Sequence, residues 1–188
     1  MFMASIKSSL HRISKVLHMS EAAVYERQRA LVRADALRGV EGRGPGSGVE
    51  LNSHNLATLL IGCGGFMSLS DLNEGVHQYI RAPSSEKVCW MTGRRTLRDA
   101  IQATIEGKFI GEHPRVEAII CFNLQAAGAD LLWSGALRLP PGMRFPSTSR
   151  FGHAHDWGRG PGIDFRSYVS NEIIEALRSL LVKAGANQ

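Results

Sequence analysis

The sequence predicts an α+β protein: a helical N-terminal part containing a helix-turn-helix and a glycine-rich hairpin, then a smaller unit with a short antiparallel sheet and a C-terminal helix. Three observations carry that expectation. Apolar residues recur at intervals of three and four in several segments before residue 106 and again over 170–184, the period of one helix face. Around Val116–Phe122 and Leu131–Leu139 that period gives way to β-favouring residues. Between the second and third helical segments, EGRGPGSGV places four glycines and a proline where only turns form readily.

At 188 residues, one or two domains are expected. The Ala82-Pro83-Ser84-Ser85 stretch is the natural linker, dividing 1–82 from 83–188. Hydrophobic residues make up 44% and charged residues 21%, which excludes a disordered chain.

The elements follow in order. Ile6, Leu10, Ile13 and Leu17 form an amphipathic stripe over Ala4 to Leu17, and His18-Met19-Ser20 supplies a short turn. Ser20 is the N-cap of the next helix and Glu21 sits at its positive end. That helix is expected to run to about Leu37, with Gly39 in the left-handed position beyond it. Val24, Leu31 and Ala34 face inward; Tyr25, Arg29 and Arg33 form a second stripe. Glu41 to Val49 is read as a hairpin tip between Val40 and the alternating Val49-Glu50-Leu51. Ser53 is expected to cap a buried helix containing Leu56, Ala57, Leu59, Leu60 and Ile61.

Further on, Ser70-Asp71 starts a helix carrying Leu72, Val76, Tyr79 and Ile80. Val88 to Met91 is expected as a short strand, and Thr96 to Asp99 has capping-box spacing before Leu97, Ile101 and Ile105. Val116–Phe122 and Leu131–Leu139 are expected to pair antiparallel, and Ser170 to Ala184 to close the chain as a helix. Pro140 to Asp164 shows no period and is read as a long loop in which Arg144, Arg150 and Arg159 interleave with Phe145, Phe151 and Trp157. GRGPG occurs twice, at Gly42 to Gly46 and at Gly158 to Gly162.

Two helices joined by a short turn, then a hairpin, then a buried helix describe a winged helix-turn-helix. Met19-Ser20 followed by Val24, and Gly48-Val49-Glu50-Leu51 leading into Ser53-His54-Asn55-Leu56, resemble the MerR-like winged-helix family over about residues 4 to 65. The resemblance implies duplex DNA as partner, with the second helix in the major groove. Ser20, Glu21, Ala22, Tyr25 and Gln28 would then lie near base edges, Gln28 being able to pair with adenine. Arg27, Arg29, Arg33 and Arg43 would meet phosphates, with Gly44 and Ser47 at the wing tip. The long coiled coil that usually follows the MerR-like module is not evident, and no family is suggested for residues 84–188.

Charge points the same way. The chain carries +5 with a pI near 9.4. Residues 1 to 50 hold eight Lys/Arg against five Asp/Glu, three of those five net charges. The expected function is that of a sequence-specific double-stranded DNA-binding protein, a transcriptional regulator of bacterial or mobile-element type. It is expected to be a homodimer in the nucleoid-associated cytoplasm, without cofactor or membrane, its second part serving dimerisation, sensing of a small-molecule effector, or a second DNA contact. A phage-like DNA-packaging or assembly subunit would use the same helices.

Enzymatic readings are weaker. GRGPGSG lacks the Gly-Lys-Ser/Thr ending of a phosphate-binding loop, and the GxGxxG pattern fails because position 47 is Ser. The alternative is a metal- or ligand-binding enzyme centred on 140–164, where His153, His155 and Asp156 could share a metal with His113 or Asp130. No Ser-His-Asp arrangement stands out. Cys63, Cys89 and Cys121 lie in apolar runs, as buried reduced thiols do, and the N-terminus is broken by Lys7, Arg12 and Lys15 and so lacks a signal-peptide core.

Overall fold

The computed structural model describes residues 4–39, 48–110, 117–124, 128–134, 148–152 and 166–185. Among them are six α-helices and a four-stranded antiparallel sheet. A 3₁₀ turn, Lys7–Ser9, leads into α1 (Leu10–Val16), followed by α2 (Glu21–Arg33), α3 (Ser53–Gly64), α4 (Leu69–Arg81) and α5 (Leu97–Glu106). The sheet comprises β1 (Glu117–Asn123), β2 (Gly128–Ser134), β3 (Thr148–Gly152) and β4 (Arg166–Val169), in the order β3-β2-β1-β4, and α6 (Asn171–Lys183) follows it.

Helix starts follow local chemistry. Ser20 accepts a hydrogen bond from the Ala23 N–H at 3.1 Å, and Thr96 accepts from Asp99 at 3.3 Å. Two caps fall one or two residues before the expected positions. Asn52, not Ser53, caps α3 by accepting from Asn55 at 2.8 Å, and Ser68 caps α4. Ser53 is thereby freed to donate to Glu106.

The end of α2 is the larger correction. The helix stops at Arg33, not Leu37, because Asp35 adopts φ +53° and closes a Schellman motif. Ala36 N–H donates to Leu31 O at 2.9 Å and Asp35 N–H to Val32 O at 3.1 Å. Asp is one of the few residues that enter the left-handed region at modest cost, so it ends the helix four residues before Gly39. His18, at φ +52°, makes the corresponding bend between α1 and α2.

α3 is the hub. Leu56, Leu59, Leu60 and Ile61 are all buried, and each such side chain stabilises the fold by about 2 kcal/mol. α2, α4 and α5 pack around α3, and β4 meets its C-terminal end. Gly64 permits that meeting: a Cβ there would come within 2.7 Å of the Phe122 ring. Tyr79 donates to the Asn123 carbonyl and Ser167 to the Gly64 carbonyl, joining helices to sheet. Burial pushes the Tyr79 hydroxyl up to about 12.

One hydrophobic core runs from Ile6 to Leu181 without dividing at Pro83. The Ala82–Ser85 segment, expected as a linker, is held on both sides. Ser84 N–H donates to Arg95 O and Ser85 N–H to Arg150 O, both at 2.9 Å, while Gly152 N–H donates to Pro83 O at 2.9 Å. Its extended backbone thus lies between the α5 approach and β3.

β1 and β2 pair antiparallel as expected, from Glu117↔Ser134 to Asn123↔Gly128. β2 begins earlier than Leu131, at Gly128, where a Cβ would approach the Phe151 carbonyl to 2.6 Å. Alternation turns Ile120 and Phe122 of β1, Leu131 and Trp133 of β2, and Phe151 of β3 into the core. β3 was not anticipated, because its five residues lie inside the stretch read as loop. Val88–Met91 is a turn instead of a strand: Cys89 N–H donates to Arg94 O at 2.6 Å and Gly93 N–H to Cys89 O at 2.7 Å, with Cys89 and Met91 buried.

Candidate nucleic-acid interface

The surface of interest is built by α1, its turn and α2. Val24, Ala30 and Leu31 anchor α2 in the core, while Glu21, Ala22, Arg29 and Arg33 are exposed and Tyr25 is half-buried. This outward stripe follows from the helical period alone. Its N-terminal end is braced by α1, where His11 Nδ1 lies 2.6 Å from Glu21 Oε1. Arg12 and Lys15 are exposed on α1 beside it, cations that belong to the polar face of an amphipathic helix and were not singled out from the sequence.

Arg29 is held loosely. Its guanidinium lies 5.9 Å from the Tyr25 ring centroid and 3.0 Å from Glu26 Oε1. Exposed pairs of this kind are worth well under about 1 kcal/mol, so a phosphate can displace the carboxylate. Arg33 forms no ion pair among the described residues.

Two expected contact residues turn inward. Gln28 is 1% exposed and its Oε1 accepts no hydrogen bond among the described residues, so it belongs to the core and cannot meet a base edge. Arg27 donates from Nη1 to the Gly62 carbonyl at 3.1 Å, neutralising the partial negative charge at the C-terminal end of α3. Both follow from the phase of the helix: residues 24, 28 and 31 share the buried side, and Arg27 flanks it.

The segment after the glycine-rich stretch is anchored to the residues that precede α1. Ile6 N–H donates to Val49 O at 2.8 Å and Leu51 N–H to Ala4 O at 2.9 Å, so Glu50 pairs with Ser5. Val49 and Leu51 are buried. Val40, the expected hairpin partner, lies outside the described residues, as do Arg43, Gly44 and Ser47.

His113, His153, His155, Asp156 and the second GRGPG also lie outside the described residues, and among those described no group of three metal-binding side chains occurs. Burial pushes Cys63 up to about 12, against the opposing pull of Arg27, which leaves it protonated and unreactive at neutral pH. No helix among the described residues is long and apolar enough to cross a membrane. Comparison with protein families, with curated proteins and with solved structures found no match.

Proposed function

We propose that the protein is a sequence-specific double-stranded DNA-binding protein of winged helix-turn-helix type, a homodimeric regulator of transcription that uses α2 as its recognition helix. The observation carrying this reading is the division of α2 into a buried apolar side and an open side presenting Ala22, Tyr25, Arg29 and Arg33. Its N-terminal half, with Ser20 and small Ala22, is narrow enough to approach base edges, while Arg29 and Arg33 lie where a groove-bound helix meets the phosphate strands. The resemblance of residues 4–65 to the MerR-like module and the positive charge of residues 1–50 support the same assignment. Glu50 pairing with Ser5 supports a wing rooted beside the N-terminus.

Gln28 and Arg27 take no part, so base reading falls to the Ser20–Tyr25 end. The test is a shift assay on mixed duplex DNA at several salt concentrations, comparing the native protein with Arg29→Glu/Arg33→Glu. Binding should weaken about 100-fold or more, and the salt slope should fall by about two phosphate contacts. Equal binding by both proteins, or none by the native protein at low salt, overturns the reading.

A further inference from the structure

A second cationic site lies at the other end of α2. The residues after its Schellman turn, the first turn of α3, the last turns of α4 and the start of α5 converge on a cavity of about 420 Å³. Arg38, Arg81 and Arg98 line it together with His54 and His77, and Asp35 is the one carboxylate among its lining residues. Three guanidinium groups against Asp35 and the Asp99 carboxylate, 3.8 Å from Arg98, leave a net positive charge in a concave space even with both imidazoles neutral. Concave placement focuses that potential.

Two of the three cations are not consumed by internal partners. Among the described residues Arg38 and Arg81 form no ion pair, and Arg98 Nε is buried without a hydrogen-bond acceptor, 3.8 Å from Asp99 Oδ1. A buried guanidinium N–H left unpaired costs free energy that an oxyanion would recover. The two histidines are positioned from behind. His77 Nε2 donates to the Ala34 carbonyl at 2.6 Å, and His54 Nδ1 donates to Gln102 Oε1 at 3.3 Å. Gln102 is in turn held by Glu106, to which it donates at 2.9 Å.

We propose that this cavity binds a small organic oxyanion, a phosphate or carboxylate compound, through Arg38, Arg81 and Arg98. The volume exceeds that of a bare phosphate, and buried Ile80 supplies an apolar wall for a few carbon atoms. A free molecule fits better than the DNA backbone, because the cations converge on a half-open concave site, whereas duplex phosphates project from a convex surface. The bound anion would clamp the residues that follow α2 to α4 and α5. That clamping makes it an effector of DNA binding, a consequence that rests on the function proposed above; the binding itself does not.

The experiment titrates sodium pyrophosphate, and separately citrate, into the full-length protein by calorimetry at constant ionic strength, with sodium chloride as control. At least one should bind saturably with a dissociation constant below about 1 mM. Arg81→Gln and Arg98→Gln should each weaken that binding about tenfold. Arg38→Gln and Arg81→Gln alter exposed side chains, so they keep the test valid should Arg98→Gln fold poorly. Arg29→Glu/Arg33→Glu should bind the anion unchanged, whether or not it binds DNA. The proposal is overturned if neither anion binds saturably, or if the cavity variants bind as tightly as the native protein. It is equally overturned if Arg29→Glu/Arg33→Glu abolishes anion binding. Weakening of duplex binding by the cavity variants in anion-free buffer, as severe as that of Arg29→Glu/Arg33→Glu, would assign these cations to the DNA backbone instead and also overturn it.

Discussion

The two cationic regions attached to α2 are built in opposite ways. Arg29 and Arg33 stand on one convex helix face, four residues apart, and their placement is a matter of local periodicity. Arg38, Arg81 and Arg98 come from three separate stretches of chain and meet only because α3 draws α2, α4 and α5 around itself. A convex stripe is open to a large polyanion and contacts it in salt-sensitive fashion; a cavity selects by size and by the number of donors that converge. Net charge alone does not distinguish them.

The largest effect is expected at Gln28, which lies on the buried side of α2. Gln28→Glu places an unpaired charge in the core and should destabilise the protein by about 3 kcal/mol at neutral pH, measured by urea unfolding. Gln28→Met, with no polar atom to satisfy, should leave stability within about 1 kcal/mol and DNA binding unchanged. A loss of DNA binding in a stably folded Gln28→Met protein would put the side chain back on the recognition surface.

Next in size is the effect of acid on the hydrogen-bonded support behind the cavity. Burial alone would raise the Glu106 carboxyl, but hydrogen bonds from Ser53, Gln102 and Lys108, with the Lys108 charge, outweigh it and hold the group below its usual range. A carboxyl lowered on folding adds stability that is fully present above its unfolded value, near about 4.3, and is lost as pH falls through the lower folded value. Glu106→Gln should therefore reduce stability at pH 7 and flatten its decline below pH ~4.5. Parallel acid unfolding curves for the two proteins would show that Glu106 is not held in this way.

Smaller still is the effect of the carboxylate inside the cavity. Asp35→Asn keeps a residue that accepts the left-handed conformation while removing the one carboxylate that lines the cavity. Pyrophosphate should bind about threefold more tightly, the size of one like-charge repulsion at ~6 Å in a solvated site. Unchanged affinity would place the anion away from Asp35. At the opposite end of the helix, His18→Gly relieves the left-handed strain of the α1–α2 turn and should raise stability by up to about 1 kcal/mol, with DNA binding retained.

Legibility from the sequence varied with the range of the interactions involved. The Ser20 cap, the apolar side of α2 and the core residues of α3 depend on contacts within a few residues, so composition and spacing reveal them. Arg27 and Gln28 lie off the outward stripe of α2: Gln28 shares the buried side with Val24 and Leu31, and Arg27 beside it reaches the Gly62 carbonyl of α3. Val88–Met91 carries strand-favouring residues but has no strand to pair with, so it folds back as a turn. β3 hides in a stretch rich in proline, glycine and arginine, because its burial comes from pairing with β2 and not from its own pattern.

The α+β class, the spacing of α1 and α2 and the outward stripe of α2 are legible in the amino-acid order, since each is set by backbone geometry that repeats every few residues. The stitching of Ala82–Ser85 into one continuous core, the end of α2 at Arg33 and the cavity shared by three distant arginines emerge only in the folded chain. Those features depend on which surfaces meet, and that is settled by the joint burial of many side chains around α3 rather than by any one segment.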